Sequence, residues 1–273
     1  MRILSDDAFV TSPINSAMNY TWAALSASWK NTLIVAVTLI LLSILQMVPL
    51  IGFIASFVQA IVLYALGYWV VDRLKESAGY EAFKTQIAGE NFKAMMGEFF
   101  APASGFYVGF FIFSLIMMAL TAFLFWITGG FDMIAAMQSQ TPAAQASPEQ
   151  VYAFYAQILG TSSPALLFVL ITSLFFSYLW PLVYGYALLQ RTFTDAFNAV
   201  FMFFSTRFWK AAFRGAYFKI VSLWMLILLG TGILMGLCIG IVILLPLGIV
   251  ILLWMLYFTA IVSAETYNLS DDI

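Results

Sequence analysis

No charged residue occurs between Asn31 and Val71, and the only proline in that run is Pro49. Crossing the hydrocarbon core of a bilayer takes about 20 apolar residues. The run is therefore long enough for two crossings, and too apolar for a hairpin facing water. Three further charge-free runs follow, at Ser104–Thr128, Pro164–Leu189 and Ile220–Ala264. Composition agrees: 63% of the 273 residues are hydrophobic and 9% are charged, against about 25% charged in soluble domains. The expected fold is an all-α integral membrane protein with six transmembrane helices in three hairpins, forming one membrane domain over 1–273.

The runs set the spans. The first two are expected at about 31–48 and 50–71, joined at Val48-Pro49-Leu50-Ile51-Gly52. Pro49 suits the first turn of a helix, and Gly52 permits close backbone approach. Spans three and four are expected at 104–128 and 164–189, with Trp180-Pro181 a possible kink. The last run holds two spans, with a second turn at Leu245-Pro246-Leu247-Gly248 in which Pro246 and Gly248 resemble Pro49 and Gly52.

An amphipathic pattern precedes the first run and returns before the last. Ile14, Met18, Trp22, Leu25 and Trp29 recur at helical steps. Phe193, Phe197, Phe201, Phe204 and Phe208 repeat the stripe 179 positions later, and Trp29-Lys30 is echoed by Trp209-Lys210. Each copy is expected to be an interfacial helix with its tryptophans at headgroup depth. The first would start at Ser12-Pro13, a capping hydroxyl followed by proline, and run to about residue 30. Phe83, Ile87, Phe92, Met95 and Phe99 suggest a further copy within the charged loop Asp72–Glu98. Approximate repeat units are 12–72, 80–190 and 192–265, and whether 80–100 is a true copy stays open.

With six spans, all 11 Lys and Arg fall on one side. The positive-inside rule then places both termini in the cytoplasm and 129–162 outside it. Within that outer segment, Gln138–Ser147 reads as flexible linker. Ser147-Pro148-Glu149-Gln150 opens a short helix ended by Gly160, either a surface helix or a lid. The N-terminal residues lack the apolar core of a signal peptide, and Glu265–Ile273 reads as a short acidic tail.

Site chemistry is sparse. There is no His, and the one Cys, Cys238, lies in an apolar run. That removes the commonest general base and metal ligand and leaves no cysteine-based metal set. No cofactor, metal or nucleic acid is expected, and the 13 Met read as apolar filler. Every charged residue maps to a loop or a span end, so a charged intramembrane pathway is not expected. Glu76, Glu81, Glu90, Glu98 and Asp195 read as solvated loop acids.

Two surfaces invite binding. Arg207, Lys210 and Arg214 are spaced to share a helical face, which fits anionic lipid headgroups or simple orientation by snorkelling. Trp22, Trp29 and Trp209 join them as candidate lipid or partner contacts. Gly232, Gly236 and Gly240 form a small-residue ridge, for packing within the chain or against another subunit.

The interfacial helix ending in Trp-Lys, followed by a hairpin with a Pro-Leu turn, occurs at Ala17–Gly52 and Ala196–Gly248. This pattern resembles uncharacterised six-span membrane proteins of bacteria and archaea, a group related to the membrane domain of some glycerophosphodiester phosphodiesterases. The resemblance implies a prokaryotic inner-membrane protein without enzymatic activity, since no phosphodiesterase domain is present. The expected function is that of an accessory or assembly subunit contacting lipids and other membrane proteins. A transporter or channel for a lipid or small apolar solute is the alternative, with a cavity lined by Gln59, Ser and Thr as its signature. A lipid-modifying enzyme using Glu90, Glu98 and Asp195 is a third reading.

Overall fold

The computed structural model describes residues 12–127, 147–240 and 245–271. The N-terminal tail, most of the linker Gln138–Ser147 and the chain at 241–244 lie outside them. Every regular element among the described residues is helical. Lipid offers backbone groups no hydrogen-bond partner, and a helix satisfies them within one segment.

The helices are α1 (Pro13–Ala27), α2 (Trp29–Leu45), α3 (Ile51–Glu76), α4 (Tyr80–Gly89), α5 (Phe92–Ile127), α6 (Pro148–Ala187), α7 (Phe193–Val200), α8 (Thr206–Ala212), α9 (Gly215–Gly240) and α10 (Leu245–Asp271). Five segments are long and apolar enough to cross a membrane: Ile51–Glu76, Phe92–Ile127, Leu167–Ala187, Gly215–Cys238 and Pro246–Leu269. A sixth is reached when α1 and α2, bent by 84° at their junction, count as one.

That junction corrects the expected helix boundary. The first helix stops at Ala27 rather than at about residue 30, because the Ser28 hydroxyl donates back to the Ala24 carbonyl and Ser28 leaves helical geometry. Trp29 and Lys30 therefore open the apolar helix α2. The second stripe is also broken. It comprises α7, a 3-10 turn at Phe201–Phe204, an extended Ser205 and then α8. At the start of α7 the Thr192 hydroxyl accepts from the Asp195 N–H at 3.1 Å and donates to its carboxylate at 2.7 Å.

Three other boundaries move. The expected loop after Val71 is mostly helix, since α3 continues to Glu76 and α5 starts at Phe92. Asn91 caps α5 by accepting from the Ala94 N–H at 2.8 Å, and the helix passes through Pro102. The helix expected to end at Gly160 continues unbroken to Ala187 as α6. The acidic tail is the last turns of α10, where Glu265 and Thr266 are buried.

The described chain falls into two compact units, Met1–Phe110 with Tyr178–Ile273, and Phe111–Ser177. In the smaller unit, Phe113 and Phe176 meet edge to face at 5.2 Å. In the larger, α10 packs against α9, α1 and α3, and α2 leans on α3. Aromatic rings fill its interior: Phe106 lies 5.0 Å from Tyr64, 5.4 Å from Tyr184 and 5.7 Å from Trp180. Such pairs add about 0.5–1.5 kcal/mol each beyond area burial.

Glycines at four positions let neighbouring groups approach closely, backbone carbonyls at three of them and a side-chain hydroxyl at the fourth. A Cβ at Gly105 or Gly109 would collide with the carbonyls of Phe193 and Phe197, so α7 sits directly on α5. A Cβ at Gly185 would strike the Ser263 carbonyl, and one at Gly67 the Tyr184 hydroxyl.

The α2–α3 hairpin turns at Leu50, whose φ of 68° is left-handed. The Ile51 N–H donates to the Pro49 carbonyl at 2.9 Å across it, a γ-turn. Gly52 lies against the Gln46 carbonyl, where a Cβ would collide. Pro246 and Gly248 fall within the first turn of α10.

Candidate functional site

The most concentrated polar chemistry gathers where α3, α4 and α5 meet at their charged ends. Asp72 and Arg73 close the apolar part of α3 and are both buried. Arg73 Nη1 contacts Asp72 Oδ2 and Glu76 Oε2, each at 3.0 Å. Its Nη2 reaches Glu98 Oε2 at 2.8 Å. Its Nε lies 2.8 Å from Glu90 Oε1, an ionic contact without an aligned hydrogen bond. Arg191, from the turn after α6, donates to Asp72 and approaches Glu98 Oε1 at 3.7 Å. Both guanidiniums lie 5.8 Å from the ring centroid of Phe99.

Of the inner acids read as solvated loop charges, Glu76, Glu81, Glu98 and Asp195 are exposed and Glu90 is partly buried; the buried charges are Asp72 and Arg73, at the end of their span. Glu76, Glu90 and Glu98 converge on a buried guanidinium, while Glu81 is exposed and Asp195 is engaged with Thr192 at the start of α7. A buried carboxylate loses hydration worth several kcal/mol, and only close cations and hydrogen bonds offset it. Arg suits this place because its planar fork serves several carboxylates at once. Four carboxylates share two guanidiniums, each guanidinium contacting more than one of them. No group of three or more His, Cys, Asp or Glu among the described residues could hold a metal ion. The arrangement ties together the ends of three helices; it offers no placed nucleophile with a base.

α1 is fastened to the same region. Its buried face is Ala17, Tyr20, Thr21 and Ala24. Tyr20 meets Tyr80 and Phe83 of α4 at 5.4 and 5.1 Å. The Asn31 amide donates to the Glu90 carbonyl at 2.9 Å, linking α2 to the α4–α5 junction.

The candidate surface residues divide. Trp22 and Trp29 are exposed, at 56% and 60%. Trp209 is half-buried and its indole N–H donates to the Phe203 carbonyl at 3.0 Å. Arg207, Lys210 and Arg214 are exposed, but α8 ends at Ala212, so Arg214 lies beyond the helix that carries the other two. At Gly232 and Gly236 of the ridge a Cβ would meet nothing within 4 Å among the described residues. Gly240 ends α9 beside residues outside the description. The glycines that do pack, Gly105 and Gly109, carry the same spacing and were not singled out.

Gln59 takes part in a tie between two helices. It accepts from the Gln46 amide and donates to the Ser43 hydroxyl at 3.3 Å, which joins α2 to α3.

No protein family, curated protein or solved structure matches the chain.

Proposed function

We propose that the chain is a non-catalytic, multi-pass protein of a prokaryotic cytoplasmic membrane, acting as an accessory or assembly subunit that contacts lipids and other membrane proteins. The observation that carries this reading is the open ridge on α9. Among the described residues Gly232 and Gly236 meet nothing, and Leu229, Ile233 and Leu237 beside them are largely exposed. Small residues favour helix association in lipid because they let backbones approach, so a ridge left open by the described residues suits a helix from another subunit. The ion pairs of Arg73 and the hydrogen bonds of Gln59 support the same reading, since they spend the polar groups on internal ties.

In this proposal both termini face the cytoplasm and the chain is built from repeated units. Burial supports the repeat: Ala17, Tyr20, Thr21 and Ala24 are buried, and so are Ala196, Ala199, Val200 and Phe203, 179 positions later. The kinship with the membrane domain of some glycerophosphodiester phosphodiesterases remains part of the proposal. The transporter reading, with a cavity lined by Gln59, Ser and Thr as its signature, is the alternative; Gln59 itself is hydrogen-bonded to Gln46 and to Ser43 of α2.

Mild-detergent purification from native membranes, with mass spectrometry of what co-purifies, tests the proposal. A stoichiometric membrane protein lost on Gly232→Leu supports it. A lone chain carrying one defined solute contradicts it.

A further inference from the structure

The apolar half of α2 leans on α3 and touches α10 only sparsely, leaving a cleft of about 600 Å³ between α2 and α10. Leu33, Val37 and Ile40 form one wall, and Val250 and Leu253 the other. We propose that this cleft binds one acyl chain of an anionic phospholipid, with Lys30 at its mouth holding the phosphate.

Three observations select this occupant. The first is length. At 1.5 Å per residue, Trp29 and Ile40 stand about 16 Å apart along α2. That is the depth of one leaflet, half of a core about 30 Å thick. A partner helix crossing the bilayer would need a groove through both leaflets; an acyl chain needs one.

The second is charge. Lys30 Nζ lies 5.9 Å from the Trp29 ring centroid, and Lys30 makes no ion pair among the described residues. A cation over an indole, at the start of an apolar helix, is placed for a lipid phosphate at headgroup depth. The third is the single hydroxyl of the lining. Thr32 lies one position beyond Asn31 near the mouth, and its Oγ1 has no hydrogen-bond partner. Thr21, Thr38 and Thr231 each bond back to a helix carbonyl. That hydroxyl is covered by the protein itself, so a glycerol or ester oxygen would reach it only after rotation of the Thr32 side chain.

The 84° bend at the α1–α2 junction accounts for the cleft's place. α1 turns away to pack on α10, so α2 rises beside α10 without closing against it. The inference rests on the reading of the chain as a lipid-contacting membrane protein, and not on its having a protein partner.

The test uses the full chain in phosphatidylcholine nanodiscs. These carry a trace of either phosphatidylglycerol or phosphatidylcholine with a photoreactive diazirine at mid-chain. After irradiation, crosslinked peptides are mapped. Crosslinks should concentrate on 33–40 and 249–253, with phosphatidylglycerol favoured about fivefold, the worth of one charge at a membrane surface. Lys30→Gln should remove the preference and leave the phosphatidylcholine yield unchanged. Val37→Trp and, on the opposite wall, Val250→Trp should each empty the site. Equal labelling of other exposed helices such as α9, equal yields for the two lipids, or crosslinks that survive both Trp variants would overturn the proposal. So would a protein crosslinked to 33–40 in native membranes in place of lipid. Isolation of the chain without a partner would sink the subunit reading and leave these outcomes untouched.

Discussion

Replacing Arg73 by glutamine removes the cation that four carboxylates share. The loss is unequal among them. Asp72 keeps Arg191, Glu98 keeps Arg191 at 3.7 Å, and Glu76 keeps the Gln86 amide at 2.9 Å. Glu90 keeps no cation among the described residues, and its side chain is only 20% exposed. Removing one partner of a buried ion pair costs about 3–5 kcal/mol, because the charge left behind stays desolvated. For a chain of this size that is roughly 6–20 °C in Tm. Arg191→Gln should cost far less, about 1 kcal/mol, since its side chain is 51% exposed and water screens it. Thermal unfolding in a mild detergent, followed by intrinsic fluorescence, measures both, with exposed Glu81→Gln as control. Adding Glu90→Gln to Arg73→Gln should recover about 1–3 kcal/mol, because the stranded charge is gone. An Arg73→Gln protein that melts within about 2 °C of the Glu81→Gln control would refute the view that this cluster holds the helix ends together.

Three further outcomes follow from the packing. Gly185→Ala should lower stability by about 1–3 kcal/mol through overpacking against the Ser263 carbonyl, while Gly232→Ala, facing open space, should be neutral or stabilising by up to about 1 kcal/mol; paired melting curves in detergent distinguish them. Leu50→Gly should raise stability by about 1 kcal/mol by relieving the left-handed backbone at the hairpin, and Leu50→Val should lower it. Gln59→Leu should cost about 0.6–2 kcal/mol by breaking the ties to Gln46 and Ser43, read as faster unfolding in detergent.

The spans were legible because charge-free runs leave a chain few alternatives in lipid. Their ends were not. Helices continue past the bilayer edge when tertiary contacts hold them, as α3 does to Glu76 beside Arg73 and α10 does past buried Glu265. The apolar stripe was visible in sequence, but it divides between two helices: Trp22 on α1 and Trp29 on α2 are exposed, while Leu25 on α1 is buried. The face of α1 that packs combines small residues, Ala17 and Ala24, over which backbones come close, with Tyr20 and Leu25.

The ion cluster was hidden for a different reason. Its members lie far apart in sequence, at Asp72, Glu90, Glu98 and Arg191, and each alone is an ordinary loop charge. The available signal was the Asp72-Arg73 pair directly after an uncharged run, where a buried charge has to find partners. Glycine spacing did not distinguish Gly105 and Gly109, which are filled by α7, from Gly232 and Gly236, which are not.

The membrane assignment stands on the topology. Single cysteines placed at Ser5, Glu81, Gln138 and Asp195, in a chain with Cys238→Ser, are probed in intact cells with a membrane-impermeant maleimide. Six crossings with the basic ends inside should label Gln138→Cys alone and leave the other three reactive only after lysis. Labelling of Ser5→Cys from outside, with Glu81→Cys protected, would mean that α1 and α2 together make no crossing and that only five spans exist, and labelling of Glu81→Cys or Asp195→Cys would contradict the orientation outright.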